Sequence, residues 1–165
     1  MTIVANSLLN EIVMSNRITD PAQILQELDS KLLTTFLSNS ESASLGITTV
    51  RDGMDLAICC VTTDEVLFAG AKRPLYYIAE GVLNEEKGSK HAVGVTAQAW
   101  KDFETTRIPR RSGTQFYMFS DGVTDQFDNA NRKRFSSRQF RSLLTQITDK
   151  TLPHQKKEIL GSMYK

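Results

Sequence analysis

Two pairs of aspartates are the residues of this chain best suited to chemistry. Asp52 and Asp55 flank the start of an apolar run in RDGMDLAI, and Asp121 and Asp125 follow another in FYMFSDGVTDQ. Carboxylates gathered at strand ends suit hard divalent cations such as Mg2+ or Mn2+, which take oxygen ligands and keep several waters. Such an ion turns bound water into a nucleophile and clamps a phosphoryl group. The plainer reading is turn chemistry, because Asp-Gly commonly ends a strand. The residues alone leave both readings open.

Little else in the chain competes for a catalytic role. It has no Gly-x-Gly-x-x-Gly, Walker loop, Cys-x-x-Cys, His-Glu-x-x-His or Gly-x-Ser-x-Gly. Its only cysteines, Cys59 and Cys60, are neighbours on a predicted strand and so point to opposite faces. That placement suits neither a disulfide nor a shared metal, and they read as reduced core residues of a cytosolic protein. His91 and His154 stand in unrelated polar contexts, with no zinc-like spacing. Lys72-Arg73, in AGAKRPL, reads as exposed turn charge, with a contact to a substrate phosphate as the sharper alternative. Arg132-Lys133-Arg134 reads as a solvated loop, and Trp100 as a residue packed on a sheet or at a contact surface.

Composition narrows the partners. Twenty Lys and Arg oppose 19 Asp and Glu, a net charge of +1, so no field attracts nucleic acid or an anionic membrane. No apolar run approaches the roughly 20 residues that span a bilayer. The first residues, MTIVANSLLNEIV, lack the basic segment of a secretory signal. At 165 residues, 40% of them hydrophobic, the expectation is one domain with a real core.

The elements that must position the aspartates follow from periodicity. Residues 2–16 and 20–36 show helical spacing; the second run opens with Asp20 as cap, Pro21 at the first helical position and Gln23 completing a capping-box pattern. Ile24, Leu25, Leu28, Leu32, Leu33 and Phe36 form its apolar stripe. Residues 38–51 read as a loop. MDLAICCVT and EVLFAGA then read as strands joined by a tight turn at 62–64, and PLYYIAEGVLNEE as a hairpin turning at Glu80-Gly81. Residues 85–104 read as irregular, with a possible short strand at 93–95. TQFYMF is a strand, 137–149 a helix, and Pro153 opens an amphipathic piece. Hairpin-length connections between strands point to an α+β fold with antiparallel sheets.

NSLLNEIV, DPAQILQELDSKL, DGMDLAICCV, FAGAKRPLYYI and FYMFSDGVTDQFD, in that order, resemble the SpoIIE-type serine phosphatases. These belong to the metal-dependent protein phosphatase (protein phosphatase 2C) class, and the likeness runs over about residues 1–150. It implies an α-β-β-α sandwich of antiparallel sheets flanked by helices. It also implies a pair of Mg2+ or Mn2+ ions bridged by the water that attacks phosphoserine or phosphothreonine, without a covalent enzyme intermediate. By that likeness Asp121 is a metal ligand and Gly122 its close-packed neighbour. Asp55 matches a recurrent aspartate before the hairpin, and Asp125 stands one turn further on.

The chain departs from the family pattern at both ends. It has neither the Asp, Gly-His-Gly and Pro-Gly-Ala run that supplies the family's first metal motif, nor the closing Asp-Asp or Asp-Asn strand. The expectation is therefore a single partial, incomplete phosphatase-like domain over 1–165, weak or inactive alone, whose substrate is a phosphorylated signalling regulator such as an anti-sigma-factor antagonist. Its uncovered sheet edges suit a homodimer. The alternative is a non-catalytic interaction or regulatory module.

Overall fold

A capped apolar stripe and a set of short strands dominate the structure, a computed structural model that describes residues 2–38, 53–95, 101–126 and 135–163. In chain order the elements are α1 (Thr2–Asn10), a π-helical stretch (Glu11–Ser15), α2 (Pro21–Ser38), β1 (Leu56–Val61), β2 (Glu65–Ala71), β3 (Leu75–Ala79), β4 (Val82–Glu86), β5 (Thr106–Pro109), β6 (Gln115–Tyr117), α3 (Asp121–Thr124), α4 (Ser137–Gln146) and α5 (Leu152–Met163). They form two antiparallel three-stranded sheets, ordered β1-β2-β5 and β4-β3-β6. The fold is of the α+β class. The chain divides into two compact units, residues 1–74 with 86–110, and residues 75–85 with 111–165.

In the first unit, α2 starts where the sequence says it should. Asp20 Oδ1 accepts the Gln23 N–H at 2.9 Å, satisfying one of the donors that a helix start leaves without a partner. Thr105 reinforces the cap, donating to Asp20 Oδ1 at 3.1 Å and accepting from the Ala22 N–H at 3.0 Å. Ile24, Leu25, Leu28 and Leu32 recur on one face and are all buried. They form one core with Ala69 and Ala71 of β2, together with Ile12, Val93 and Phe103. Leu33 is half-buried, and the side chain of Phe36 lies outside the described residues.

The first sheet pairs Leu56 with Ala71 through Val61 with Val66, and Glu65 with Pro109 through Phe68 with Thr106. β5 (Thr106–Pro109) is a strand that the sequence analysis does not mark. Four residues with one buried side chain, Ile108, are too few to show a period of two. Pro109 is tolerated because β5 lies at the sheet edge. Residues 93–95 form no strand; Val93 only bridges Met54.

In the second unit, Glu80 and Gly81 both have positive φ, 53° and 77°, the backbone that a two-residue hairpin needs to match strand twist. β6 pairs with β3 through Tyr76–Tyr117, Tyr77–Phe116 and Ile78–Gln115, and is shorter than TQFYMF. α4 opens with a reciprocal cap between Ser136 and Gln139 and ends at Gln146, before residue 149. Its Phe140 and Leu144, with Ile147 just beyond, pack with Tyr76 and Ile78 of β3.

A buried ion pair ties α2 of the first unit to the irregular chain that precedes β5. Lys101 Nζ lies 2.5 Å from Asp29 Oδ1, the side chains being only 3% and 7% exposed, and the same oxygen accepts the Gly94 N–H. Removing one partner leaves a buried charge. Lys101→Ala is therefore expected to lower unfolding free energy by about 3–5 kcal/mol. The pair Asp29→Leu with Lys101→Met should recover most of that, leaving a deficit of about 1 kcal/mol for the Gly94 N–H. Urea unfolding of the three proteins checks both values.

Candidate functional site

Asp121 reaches its position because β6 and its continuation are held on one face by aromatic packing. Side chains alternate along an extended chain, so Gln115, Tyr117 and Phe119 share a face. The Phe119 ring centroid lies 4.9 Å from Tyr76 and 4.9 Å from Phe140, tilted in one case and edge-on in the other. Such arrangements suit the ring quadrupoles. Two residues later the chain turns. Ser120 is extended, with φ −95° and ψ 169°, and Asp121 opens the four-residue helix α3.

The turn is closed by backbone bonds. The Val123 N–H donates to the Ser120 carbonyl at 3.1 Å, and the Asp125 N–H to the Asp121 carbonyl at 2.7 Å. Thr124 Oγ1 also donates to the Asp121 carbonyl, at 3.3 Å. Asp121, Gly122 and Asp125 therefore belong to one turn, all three exposed, with Asp125 capping the end of α3. Gly122 is not held by close packing among the described residues. A Cβ there meets only the Ser120 hydroxyl, at 3.2 Å.

Asp55 belongs to the first unit and has a different neighbour. Arg73 Nη2 lies 3.3 Å from Asp55 Oδ2. The loop carrying Arg73 is built tightly. Lys72 has φ 57°, its N–H donates to the Ser89 carbonyl at 2.8 Å, and the Ser89 N–H donates to the Gly70 carbonyl at 2.6 Å. Glycine is required on both sides: a Cβ on Gly88 would stand 2.5 Å from the Arg73 carbonyl oxygen, and one on Gly70 would strike the same oxygen. Arg73 is thus part of a fixed turn and not a loose surface charge. Its partner carboxylate is balanced by a guanidinium.

Hard oxygen donors are the right type for Mg2+ or Mn2+, and one or two carboxylates with waters suffice for one such ion. Asp121 and Asp125 are donors of that type, set on one turn. A caged pair of ions asks for more, and among the described residues no group of three or more His, Cys, Asp and Glu side chains is placed to hold a metal. Asp52, Trp100 and Arg132-Lys133-Arg134 lie outside the described residues. His91 is half-buried, and His154 is exposed on α5 beside the Thr151 hydroxyl. A polar hollow of about 160 Å3 among Gly70, Lys87, Gly88, Ser89, Asp102, Glu104 and Thr106 contains none of the nominated aspartates.

Both cysteines are free and half-buried on β1, with Cys59 facing Phe68 across the sheet and Cys60 facing Leu67.

Against this geometry, comparison with known proteins is specific. The family model for Stage II sporulation protein E (SpoIIE) matches residues 1–165, and the chain belongs to that family. The SiaA-PP2C domain of Pseudomonas aeruginosa superimposes with a TM-score of 0.77 at 26% identity, over 98% of this chain and 60% of that one. The phosphatase domain of SpoIIE from Bacillus subtilis gives a TM-score of 0.44 at 14% identity, over 96% of this chain and 65% of that one. The chain thus spans less than two thirds of either relative. A search of curated proteins finds no match. Among the described residues, no helix is long and apolar enough to cross a membrane.

Sequence reasoning missed a neutral polar network that joins α5 to β6, and only the helical spacing of one of its members marks an inward position. Gln155 stands four residues before Ile159, on the inward side of a helix that otherwise exposes polar residues.

Burial pushes the Cys59 thiol up to about 11. Its thiolate fraction is small at every pH below that value and grows as pH rises through it. At pH 8 only about one molecule in a thousand carries the reactive thiolate. In a Cys60→Ser background, Cys59 is expected to react with Ellman's reagent at least about tenfold more slowly than a free thiol at pH 8. Absorbance at 412 nm follows the reaction.

Proposed function

We propose that this chain forms part of a metal-dependent protein serine/threonine phosphatase domain, with Asp121 as a cation ligand. The observation that carries the reading is the placement of Asp121: a carboxylate exposed at the end of a pinned strand, in a chain belonging to the SpoIIE family. The SiaA-PP2C likeness supports the phosphatase class. Mg2+ or Mn2+, when bound, supplies a water of lowered pKa and neutralises phosphoryl charge. Asp121 provides the anionic oxygen, and Asp125, whose N–H closes the turn on the Asp121 carbonyl, is a second carboxylate four residues on.

The protein substrate we propose is a phosphorylated signalling regulator, such as an anti-sigma-factor antagonist, acting in the cytoplasm. Within the first unit taken by itself, Arg73, held beside Asp55, is a basic group suited to a phosphate monoester, since a guanidinium offers several donors in a fixed fork. Asp55 then serves to orient that fork.

A second reading follows from the lack of a three-residue ligand group among the described residues. In it, the chain is a phosphatase-like interaction module that does not itself catalyse. Hydrolysis of a phosphoserine peptide in the presence of Mn2+ separates the two. The first reading expects metal-dependent turnover that falls at least about a hundredfold in Asp121→Asn, the loss of one ligand being worth at least the 10–100-fold of an outer-shell change. Absence of turnover from correctly folded parent protein favours the interaction module. Turnover unchanged by Asp121→Asn sinks the assignment of that residue.

A further inference from the structure

Gln155 is buried in the second unit, 2% exposed, on the inward side of α5. Its Nε2 donates to Gln115 Oε1 and to the Lys150 carbonyl, each at 2.9 Å. The Tyr117 phenol shares its one proton between Gln115 Oε1 at 2.5 Å and Gln155 Oε1 at 3.0 Å. Gln115 Nε2 closes the arrangement on the Thr148 carbonyl at 2.8 Å. Every group is neutral, so the network escapes the desolvation cost of a buried ion pair. It joins α5 and the turn before it to two residues on one face of β6.

That face continues to Phe119, two residues before the turn that carries Asp121. Aromatic packing holds it against α4, but apolar attraction is non-directional and tolerates sliding along the strand. β6 pairs through only three residues, at the edge of its sheet, so its backbone ladder is a weak axial restraint. Side-chain hydrogen bonds weaken steeply with misalignment and do fix axial position. We infer that Gln155 is a positioning residue: through Gln115 and Tyr117 it sets the height of β6, and with it the place of the Asp121 carboxylate. The inference rests on Asp121 being a cation ligand.

The test uses the 165-residue chain with two readouts, Mn2+ affinity by calorimetry and amide hydrogen exchange over residues 118–124. Gln155→Leu keeps the volume and removes the network. Leu143→Ala, half-buried against the core of the same unit, is the control for general loosening. Gln155→Leu should weaken Mn2+ binding about tenfold or more, the scale seen when outer-shell partners are removed, and should speed exchange at 118–124. Leu143→Ala should lower the melting temperature while changing neither. Tyr117→Phe removes only the shared proton and should act in the same direction by less, which guards against a variant that fails to fold.

Parent-like affinity and exchange in Gln155→Leu would overturn the inference, as would equal losses in Leu143→Ala. If the parent binds no Mn2+, the cation reading itself fails, and exchange alone judges the network. Selective acceleration in Gln155→Leu then supports control of the turn, and its absence refutes it.

Discussion

The acidic turn depends on Phe119. A four-residue helix has no stability of its own, because helix nucleation is unfavourable and one turn repays little of it. Asp121 is therefore placed by what precedes it. Phe119 is wedged between Tyr76 of β3 and Phe140 of α4, and Phe140 also meets Phe135 at the head of its helix. Arg141, next in sequence, lies 6.0 Å over the Tyr76 ring and pairs with Glu85 at 2.7 Å. Strand, hairpin and helix thus converge on a few rings, and the turn that follows inherits their geometry.

The first unit solves a similar problem by other means. Its acidic residue, Asp55, stands just before β1, and the group opposite it is delivered by a loop with almost no freedom. Gly70 and Gly88 allow two backbones to approach the Arg73 carbonyl, and Lys72 accepts a left-handed conformation to complete the bend. A conformation that costs about a kilocalorie per mole or more persists only where its surroundings over-determine it. Here the bonds to Ser89 and Gly70 do so. Neither unit leaves its acidic residue on a loose loop.

Elements with a long period were legible in the sequence. The stripe of α2, its Asp20 cap, the strand pair around Thr62 and the hairpin at Glu80-Gly81 all follow from local rules. β5 was not legible, because one buried residue carries no period and its pairing with β2 spans about 40 positions in sequence. The Ser136–Gln139 cap carries the local signature Ser-x-x-Gln. At the site, sequence order could nominate Asp121, Gly122, Asp125 and Asp55. It could not assign Asp55 to Arg73, since that depends on how the two chain segments meet in space. Gln155 escaped because one glutamine in a polar helix gives no sign of its partners until the strand beside it is known.

The central claim is that a cation is held at the end of β6, by Asp121. Paramagnetic broadening of backbone amide resonances by substoichiometric Mn2+ tests it most directly, because the effect falls off steeply with distance and needs no substrate. The account predicts that the amides of Gly122 and Val123 broaden first and that Asp121→Asn removes the effect without moving other resonances. Broadening centred elsewhere, or identical in Asp121→Asn, would contradict it.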